Sequence, residues 1–310
     1  MRRQERKIPI PELDGEYVSV YRPRGDVYRG ENTPGFRQGH FYREWIVNDF
    51  SILQDGETWH MVGITHPRPD SFIHDFDYDD TDVHEGEFQL FHSVAEGGSF
   101  RDIFRKDSFT DCGKILYPSE RPGERKEIWA PHLMKVQDRF QIIYSPGQMR
   151  RMSSDDFRNW QKEDTMFVSS CEDARDPYLY EEGGRYYCIY TEAGILKYRT
   201  SRDLHVWSEE AILQDRLFGY GNVQNESPFL LKREGIYYLF WSIFDGRNGC
   251  YDNRTMVFAG SSFGELRNSA PLTMLRGHAP EIVSDQKGEF YFLSAFYPCN
   301  GISAVKLKWV

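Results

Sequence analysis

The chain lacks the sequence features of several large classes of protein. It contains no apolar run of about 18 residues that would span a bilayer, and its start shows no apolar core of a secretory signal peptide. It also contains no HExxH motif, no CxxC pair, and no Walker A or GxGxxG loop. Zinc hydrolase and nucleotide-dependent functions therefore have no residues to support them.

Positive charge is scarce as well. The chain has 38 lysines and arginines against 48 acidic residues, which gives a formal net charge of −10. Nucleic acids and anionic membrane surfaces are bound through basic patches, and the one local basic group lies in residues 2–7. We therefore expect neither nucleic acid nor a membrane as a partner.

Cysteines are few and widely spaced. The five of them form an odd number without a paired motif, and Cys188 lies within an aromatic strand where it would pack as a small hydrophobic residue. Reduced thiols and a cytoplasmic location are the favoured expectation. A periplasmic or secreted location is the alternative if a signal peptide has been removed.

What the chain does contain is a repeated unit of two apolar, aromatic-rich runs around a turn that usually includes glycine. Each copy predicts a β-hairpin. The copies span residues 49–65, 129–145, 175–191, 226–242 and 278–295. The prolines near the starts of the last four copies, at positions 131, 177, 228 and 280, are 46, 51 and 52 residues apart. A period near fifty with several short strands per unit predicts an all-β fold, a five-bladed β-propeller.

A second repeated element supports this period. Residues 154–160 and 201–207 follow the second and third hairpins, and their tryptophans lie 29 and 30 residues beyond the respective prolines. The first interval is longer, at about 80 residues, and indicates an insertion between the first two blades. Since no linker divides the chain, we expect residues 1–310 to form a single propeller domain.

Two segments lie outside the repeats. The N-terminal segment, residues 1–45, includes a strand-like run at 16–22, which we expect to pair with strands around residues 290–308 and help to close the ring. The acidic segment 70–87 does not match a calcium-binding loop, because Asp80 and Gly86 stand where glycine and glutamate are required. It is interpreted as a solvated insertion at the rim, with a lid over a groove as the alternative.

The chemistry is expected where the hairpins begin. The residues at the head of each copy, the first residue in four copies and the second in the third copy, differ: they are Asp49, Trp129, Asp176, Glu226 and His278. The innermost strands of a propeller line one central channel. Three carboxyl groups would then meet, and their mutual repulsion would separate their pKa values, as glycosidic bond cleavage requires. The alternative is that these carboxylates only cap strands or bind backbone N–H groups.

These hairpins resemble those of glycoside hydrolase family 43 and its relative family 32 over residues 45–295. The resemblance rests on Asn48-Asp49-Phe50, Trp129-Ala130-Pro131, Arg175-Asp176-Pro177 and Glu226-Ser227-Pro228. Phe50 departs from family 43, which usually has proline there. Residues 45–49 (WIVND) and Arg175-Asp176-Pro177 are also similar to family 32, but Ser227 stands where that family normally has cysteine, so family 43 is favoured.

The resemblance implies roles for these carboxylates in an inverting hydrolase of furanosides or pentose-containing glycans, such as arabinofuranosides or xylosides. Asp49 would be the base that activates water, Glu226 the acid that protonates the leaving oxygen, and Asp176 the residue that tunes and holds the acid. The partner would be an oligosaccharide or polysaccharide. A retaining β-fructofuranosidase-like hydrolase and a non-catalytic carbohydrate-binding propeller are the alternatives.

Residues next to the carboxylates are candidates for binding the sugar, with structural hydrogen bonding or core packing as the alternative. They are Asn48, Trp129, Arg175, Asn225 and His278, with Trp45 as a further aromatic candidate. The reaction requires no cofactor. The resemblance also implies a Ca²⁺ ion in the central channel near His278.

Overall fold

The computed structural model describes residues 7–68, 86–215, 223–245, 250–285 and 287–310. Before the first hairpin the chain forms β1 (Pro11–Tyr21), β2 (Asp26–Val27) and β3 (Phe41–Tyr42). Five antiparallel sheets then follow, which we call blades 1 to 5. Together they form the five-bladed β-propeller predicted from the repeat, which is thereby confirmed.

The first three blades keep their strands in chain order from the innermost strand outward. Blade 1 contains β4 (Trp45–Asp55), β5 (Thr58–Pro67), β6 (Gln89–Glu96) and β7 (Thr110–Ile115). Blade 2 contains β8 (Trp129–Val136), β9 (Arg139–Ser145), β10 (Gln148–Ser154), β11 (Gln161–Lys162) and β12 (Phe167–Val168), the last two both pairing with β10. Blade 3 contains β13 (Arg175–Glu182), β14 (Arg185–Glu192), β15 (Ile195–Ser201) and β16 (Ala211–Gln214).

Blade 4 continues this order, and blade 5 takes its outer strand from the start of the chain. Blade 4 contains β17 (Val223–Arg233), β18 (Ile236–Asp245), β19 (Cys250–Gly260) and β20 (Thr273–Arg276). Blade 5 contains β21 (His278–Ser284), β22 (Phe290–Ala295), β23 (Ile302–Trp309) and β1. Two short helices, α1 (Phe100–Ile103) and α2 (Phe263–Asn268), and a 3₁₀ turn at Pro118–Glu120 lie in connections.

The N-terminal strand joins the C-terminal strand. β1 pairs antiparallel with β23, from Pro11 opposite Trp309 to Tyr21 opposite Ile302. Residues 16–21 of the run singled out in the sequence lie in this strand. The pairing covers what would otherwise be an exposed sheet edge and joins the two ends of the described chain.

The strands are apolar on both faces because each blade packs between two others. On β18, Tyr238 and Phe240 belong to the cluster shared with blade 5, whereas Leu239 and Trp241 belong to the cluster shared with blade 3. Cys188 is fully buried in the cluster between blades 2 and 3, as predicted. Burial of each large side chain stabilises the fold by about 1.5–3 kcal/mol, so these interfaces hold the ring together.

The second repeated element forms the same turn in blades 2 and 3. Asp156 accepts hydrogen bonds from the backbone N–H groups of residues 158 and 159, and Asp203 accepts them from residues 205 and 206. These backbone bonds lower the pKa of both carboxyl groups to about 2. Because both blades contain the same turn at corresponding positions, the repeat continues at the same spacing beyond the hairpins.

The extra length after the first hairpin lies mostly within blade 1, not only between blades 1 and 2 as the spacing suggested. Long connections join β5 to β6 and β6 to β7, and a further connection, residues 116–128, leads to β8. The spacing of the hairpins gives only the number of residues between one hairpin and the next. It therefore does not show which of these loops holds the extra residues. Residues 69–85 of the first connection lie outside the described residues, and with them most of the acidic segment 70–87.

Candidate active site

Every innermost strand interrupts its ladder near its start. The register shifts fall at 47/50, 129/132, 175/178, 226/228 and 278/281. In four blades a proline without an N–H stands at this point, and the residue before it has positive φ: Ala130 39°, Asp176 58°, Ser227 52° and Ala279 48°. The bulge brings two adjacent side chains to the same region, as Arg175 and Asp176 in blade 3 show.

This geometry shows that the five residues chosen as hairpin starts do not occupy one equivalent position, but fall at two positions one residue apart. Asp49 and Asp176 stand at the bulge position, together with Ser227. Glu226 and His278 stand one residue earlier, as does Trp129. The three carboxylates therefore do not occupy equivalent positions, although the ring still brings them together.

Ser227 connects two of the carboxylates. Its hydroxyl donates to Oδ1 of Asp49 over 2.8 Å, and its backbone N–H donates to Oδ2 of Asp176 over 3.0 Å. Asp49 and Ser227 are separated by 178 positions in the chain. Both carboxylates are buried, so these two hydrogen bonds replace part of the water that they lose on folding.

Arg175 supplies the positive charge of the site. Its Nη2 lies 3.3 Å from Oε2 of Glu226, its Nε lies 3.6 Å from Oδ2 of Asp176, and its Nη1 lies 2.7 Å from Oδ1 of Asp173. Burial lowers the pKa of Arg175, but the three facing carboxylates raise it by more, so the net shift is upward. The guanidinium therefore stays charged and holds Asp176 and Glu226 side by side.

His278 lies between the base and acid candidates. Its Nε2 is 3.3 Å from Oδ1 of Asn48, 3.6 Å from Oδ1 of Asp49 and 3.8 Å from Oε1 of Glu226. Burial lowers the pKa of His278 to about 3, so the imidazole is neutral at ordinary pH. Because an amide oxygen only accepts, the contact with Asn48 requires the proton on Nε2.

The shared histidine atom limits the separation of two carboxyl oxygens. Oδ1 of Asp49 and Oε1 of Glu226 are at most about 7.4 Å apart, the sum of their distances to Nε2 of His278. Inverting glycosidases hold their two carboxyl groups about 6.5–9.5 Å apart, and retaining ones about 5–5.5 Å apart. The limit admits both arrangements.

Two of the carboxyl groups, those of Asp49 and Asp176, have raised pKa values. Burial raises the pKa of Asp49 well above its ordinary value, and the charges of Asp176 and Glu226 raise it further, against the hydrogen bond from Ser227. Burial also raises the pKa of Asp176, but Arg175 opposes that shift. One arginine facing several buried carboxylates thus favours a site that retains a proton.

The remaining candidates have different surroundings. Trp129 begins β8 and is half-buried against the cluster between blades 1 and 2, whereas Asn225 is buried in β17 next to Glu226. Trp45 is a core residue: it is 2% exposed, and its indole N–H donates to the backbone oxygen of Tyr42 over 3.2 Å. It therefore presents no face for stacking on a sugar.

Three residues near the carboxylates were not singled out as site residues from the sequence. Ser227 bridges Asp49 and Asp176, Asp173 holds Arg175, and the charge of Glu87 contributes to the raised pKa of Asp49. The sequence signal for Ser227 was its place immediately before Pro228, matching Asp176 before Pro177. Nothing comparable marked Glu87, which comes from the connection between β5 and β6.

The described residues show no cluster of side chains that is typical of a metal site. Across the described ranges, no group of three or more histidine, cysteine, aspartate or glutamate side chains is arranged to hold a metal ion. Calcium takes six to eight oxygen ligands. His278 offers only ring nitrogens, and its Nε2 lies against Oδ1 of Asn48. The calcium ion expected near His278 stays a prediction, and no chemical step below depends on it.

A small cavity lies against two of the carboxylates. Its volume is about 30 Å³, and it is lined by Asp49, Asp176 and Phe50 and by the four prolines at the bulges of the innermost strands. This is room for about one water molecule. This cavity is therefore too small to hold a sugar.

None of the helices in the described part of the chain is long and apolar enough to cross a membrane.

Similar folds occur in solved structures of glycan-degrading enzymes. The Bacillus subtilis arabinanase Arb43A is 16% identical, with 85% of this chain and 94% of that chain covered and a TM-score of 0.58. The catalytic domain of the Coprinopsis cinerea GH62 α-L-arabinofuranosidase is 11% identical, with 94% and 96% covered and a TM-score of 0.60. CoXyl43, a β-xylosidase/α-arabinofuranosidase from a compost microbial metagenome, is 12% identical, with 85% and 91% covered and a TM-score of 0.58.

At these identities the structures show the fold alone. No curated protein matches the sequence significantly. The model of glycosyl hydrolases family 43 matches residues 107–295, which is more than half of the chain and includes Asp176, Glu226 and His278 but not Asp49. The chain belongs to glycosyl hydrolases family 43 and is a glycoside hydrolase whose substrates are carbohydrates.

Proposed function

We propose that the protein hydrolyses furanosides or other pentose-containing glycans, with α-L-arabinofuranosides and β-D-xylosides as the leading substrates and with inversion at the anomeric carbon. The observation that supports this most strongly is the meeting of Asp49, Asp176 and Glu226 around Ser227 and Arg175. The similar structures support the sugar class, because they are described as arabinanases, arabinofuranosidases and a xylosidase.

Asp49 is proposed as the general base. It takes a proton from the attacking water as the oxygen bonds to the anomeric carbon, and this requires the ionised form. The Ser227 hydroxyl stabilises that form by donating to Oδ1, while burial and the neighbouring carboxylates oppose it. The balance sets the pH above which the enzyme becomes active.

Glu226 is proposed as the general acid. It gives its proton to the glycosidic oxygen as the bond to the leaving sugar breaks. Since Oε2 of Glu226 faces Arg175, the proton would be carried on Oε1, the oxygen that lies 3.8 Å from His278. Asp176 does not face the substrate in this proposal, but tunes the acid and fixes Arg175 from the other side.

A retaining reaction is the second candidate, because the limit of about 7.4 Å between the carboxyl oxygens also admits the shorter spacing. Asp49 would then attack the anomeric carbon itself and form a covalent glycosyl intermediate. NMR of the first anomer released separates the two reactions. Release of the inverted anomer supports the proposal, and release of the retained anomer replaces it with the second candidate.

The activity test uses aryl α-L-arabinofuranoside, β-D-xyloside and β-D-fructofuranoside with the purified protein. We expect turnover of a pentoside, and loss of turnover in both Asp49→Asn and Glu226→Gln. Ser153→Ala, which removes a buried hydroxyl on β10 in blade 2, is the control and should retain activity. Full activity in Glu226→Gln, or turnover of the fructofuranoside alone, would contradict the proposal.

A further inference from the structure

A separate cleft lies next to blade 1, and none of the three carboxylates lines it. Its volume is about 540 Å³, and it is formed between residues 28–38 of the N-terminal segment and residues 117–127 of the connection from blade 1 to blade 2. Cavities of about 300–1,000 Å³ are the usual size of small-molecule sites. The proposed hydrolysis of a single glycosidic bond does not use this space.

The cleft adjoins the two innermost strands β4 and β8 through Glu87 and Phe88. Glu87 and Phe88 both line the cleft, and Phe88 packs in the same buried cluster as Trp45, which begins the strand that carries Asp49. The charge of Glu87 also contributes to the raised pKa of Asp49. The backbone carbonyl of Glu87 also accepts a hydrogen bond from the N–H of Ile128 over 2.9 Å, immediately before Trp129 in the chain. A chain-like ligand held at the carboxylates could therefore continue into the cleft.

One wall of the cleft is fixed by aromatic packing. Tyr28 packs edge-on against Phe88 with ring centroids 5.4 Å apart, and both belong to a buried cluster that includes Trp45 at the start of blade 1. Gly30 fits directly against this wall, because a Cβ there would lie 2.3 Å from the ring of Phe88. The N-terminal segment is thus held firmly against the propeller.

The opposite wall is fixed by a buried arginine. The guanidinium of Arg121 donates to the backbone carbonyls of Leu116, Arg125 and Lys126, and also to that of Phe88. Its side chain is fully buried, so these bonds are made without competition from water. Arg121 therefore ties the connection between blades 1 and 2 to the first wall, which gives the cleft a preformed shape.

The lining favours an uncharged ligand rich in hydroxyl groups. Arg29 and Lys126 contribute positive charge, and Glu31, Glu87 and Glu127 contribute negative charge. Lys126 and Glu31 form an ion pair at the rim. Since both signs are present, neither an anion nor a cation is favoured throughout, whereas donors and acceptors are both available to hydroxyl groups.

Tyr117 adds an aromatic surface. It lines the cleft and is only partly buried, and the Arg29 guanidinium lies over its ring, 5.4 Å from the centroid. An aromatic ring flanked by hydrogen-bonding groups suits a sugar, which has an apolar face of C–H groups and an edge of hydroxyl groups. This is the side chain whose removal tests the cleft most directly.

We propose that this cleft binds further sugar units of a neutral glycan chain whose scissile bond lies at Asp49 and Glu226, so that the protein prefers chains of several sugars to single-sugar glycosides. The inference rests on the proposed function for the position of the bond. The ligand class itself follows from the cleft.

The kinetic test compares kcat/KM on arabino- or xylo-oligosaccharides of two to six sugars with kcat/KM on the matching aryl monoglycoside. We expect the wild-type value to rise with chain length. In Tyr117→Ala the ratio of the six-sugar value to the monoglycoside value should fall about tenfold. Tyr180→Ala, which removes a partly buried tyrosine from blade 3, should leave the ratio unchanged. No dependence on chain length, or equal ratios in Tyr117→Ala and wild type, would overturn the inference.

A binding measurement separates this inference from the proposed catalysis. Calorimetry with the Asp49→Asn protein and the same six-sugar chains should show binding that Tyr117→Ala weakens about tenfold in that background. If this binding is seen but the unmodified protein hydrolyses none of the chains, the cleft is supported and the proposed reaction fails. If the unmodified protein is active but Tyr117→Ala does not weaken binding, the cleft assignment fails alone. Unfolding temperatures of both tyrosine variants confirm that each has folded.

Discussion

Ser227 joins Asp49 and Asp176 through two hydrogen bonds, and Ser227→Ala tests one of them alone. The substitution removes the hydroxyl that donates to Asp49 over 2.8 Å, but it keeps the backbone N–H that donates to Asp176. The backbone accepts alanine at this position, because Ala130 and Ala279 occupy the same place in blades 2 and 5 with φ of 39° and 48°. The variant therefore changes the surroundings of Asp49 without changing the bulge.

The magnitude follows from the type of hydrogen bond. A bond to a charged group is worth about 1.5–3 kcal/mol, and one pKa unit corresponds to about 1.4 kcal/mol. Since the hydroxyl stabilises only the ionised form, its loss should raise the pKa of Asp49 by about one to two units. The base must be ionised, so the acidic limb of the pH profile of kcat/KM should move upward by the same amount.

The assay is a pH profile of kcat/KM for the best aryl glycoside, measured for wild type, Ser227→Ala and Ser153→Ala. We expect a loss of about 10- to 100-fold on the acidic limb of Ser227→Ala, with recovery as the pH rises, and no shift in the control. An unchanged limb, or a limb that moves to lower pH, would refute the assigned action of Ser227 on Asp49.

Three further predictions concern the charges of the site. Asp49→Asn should lower kcat by about 10²–10⁴-fold. It should also raise the unfolding temperature at pH 7, because a carboxyl group with a raised pKa in the folded state makes the protein less stable as the pH rises through that pKa. The gain in unfolding temperature should therefore shrink towards pH 4. A variant less stable than wild type at pH 7 would contradict this. Arg175→Met should cost about 3–5 kcal/mol in urea unfolding, because Asp176 and Glu226 lose their buried counter-charge, and an unchanged midpoint would show that the arginine is not needed. Glu87→Gln should move the acidic limb of the pH profile to lower pH, since the charge of Glu87 raises the pKa of Asp49, and a move to higher pH would reverse the assigned sign.

The fold was largely predictable because its determinants are periodic. Hairpins with turn glycines, such as Gly56 and Gly235 with φ of 62° and 82°, recur at a nearly constant spacing and identify the five blades. The pairing of β1 with β23 was anticipated because a ring of sheets leaves an edge to be covered. The position of the extra loops within blade 1 was not, since hairpin spacing does not show where between two hairpins residues are added.

The site was predictable only as a set of residue types at the starts of strands. The sequence singled out Asp49, Asp176 and Glu226 as candidates, but it did not show that the first two stand at a bulge and the third one position earlier. That offset depends on backbone hydrogen bonding around the prolines. The part played by Glu87 was hidden for a different reason, since it reaches the site from a long connection that lies outside the repeat.

The central claim is that Glu226 gives a proton to the leaving sugar at a site where Asp49 activates water. The most direct test is kcat/KM of Glu226→Gln on two substrates with the same sugar, one with a natural sugar leaving group and one with a dinitrophenyl leaving group that needs no proton. The account predicts a loss of about 10²–10⁴-fold on the first and a much smaller loss on the second. Equal losses on both substrates, or no loss on the first, would contradict it.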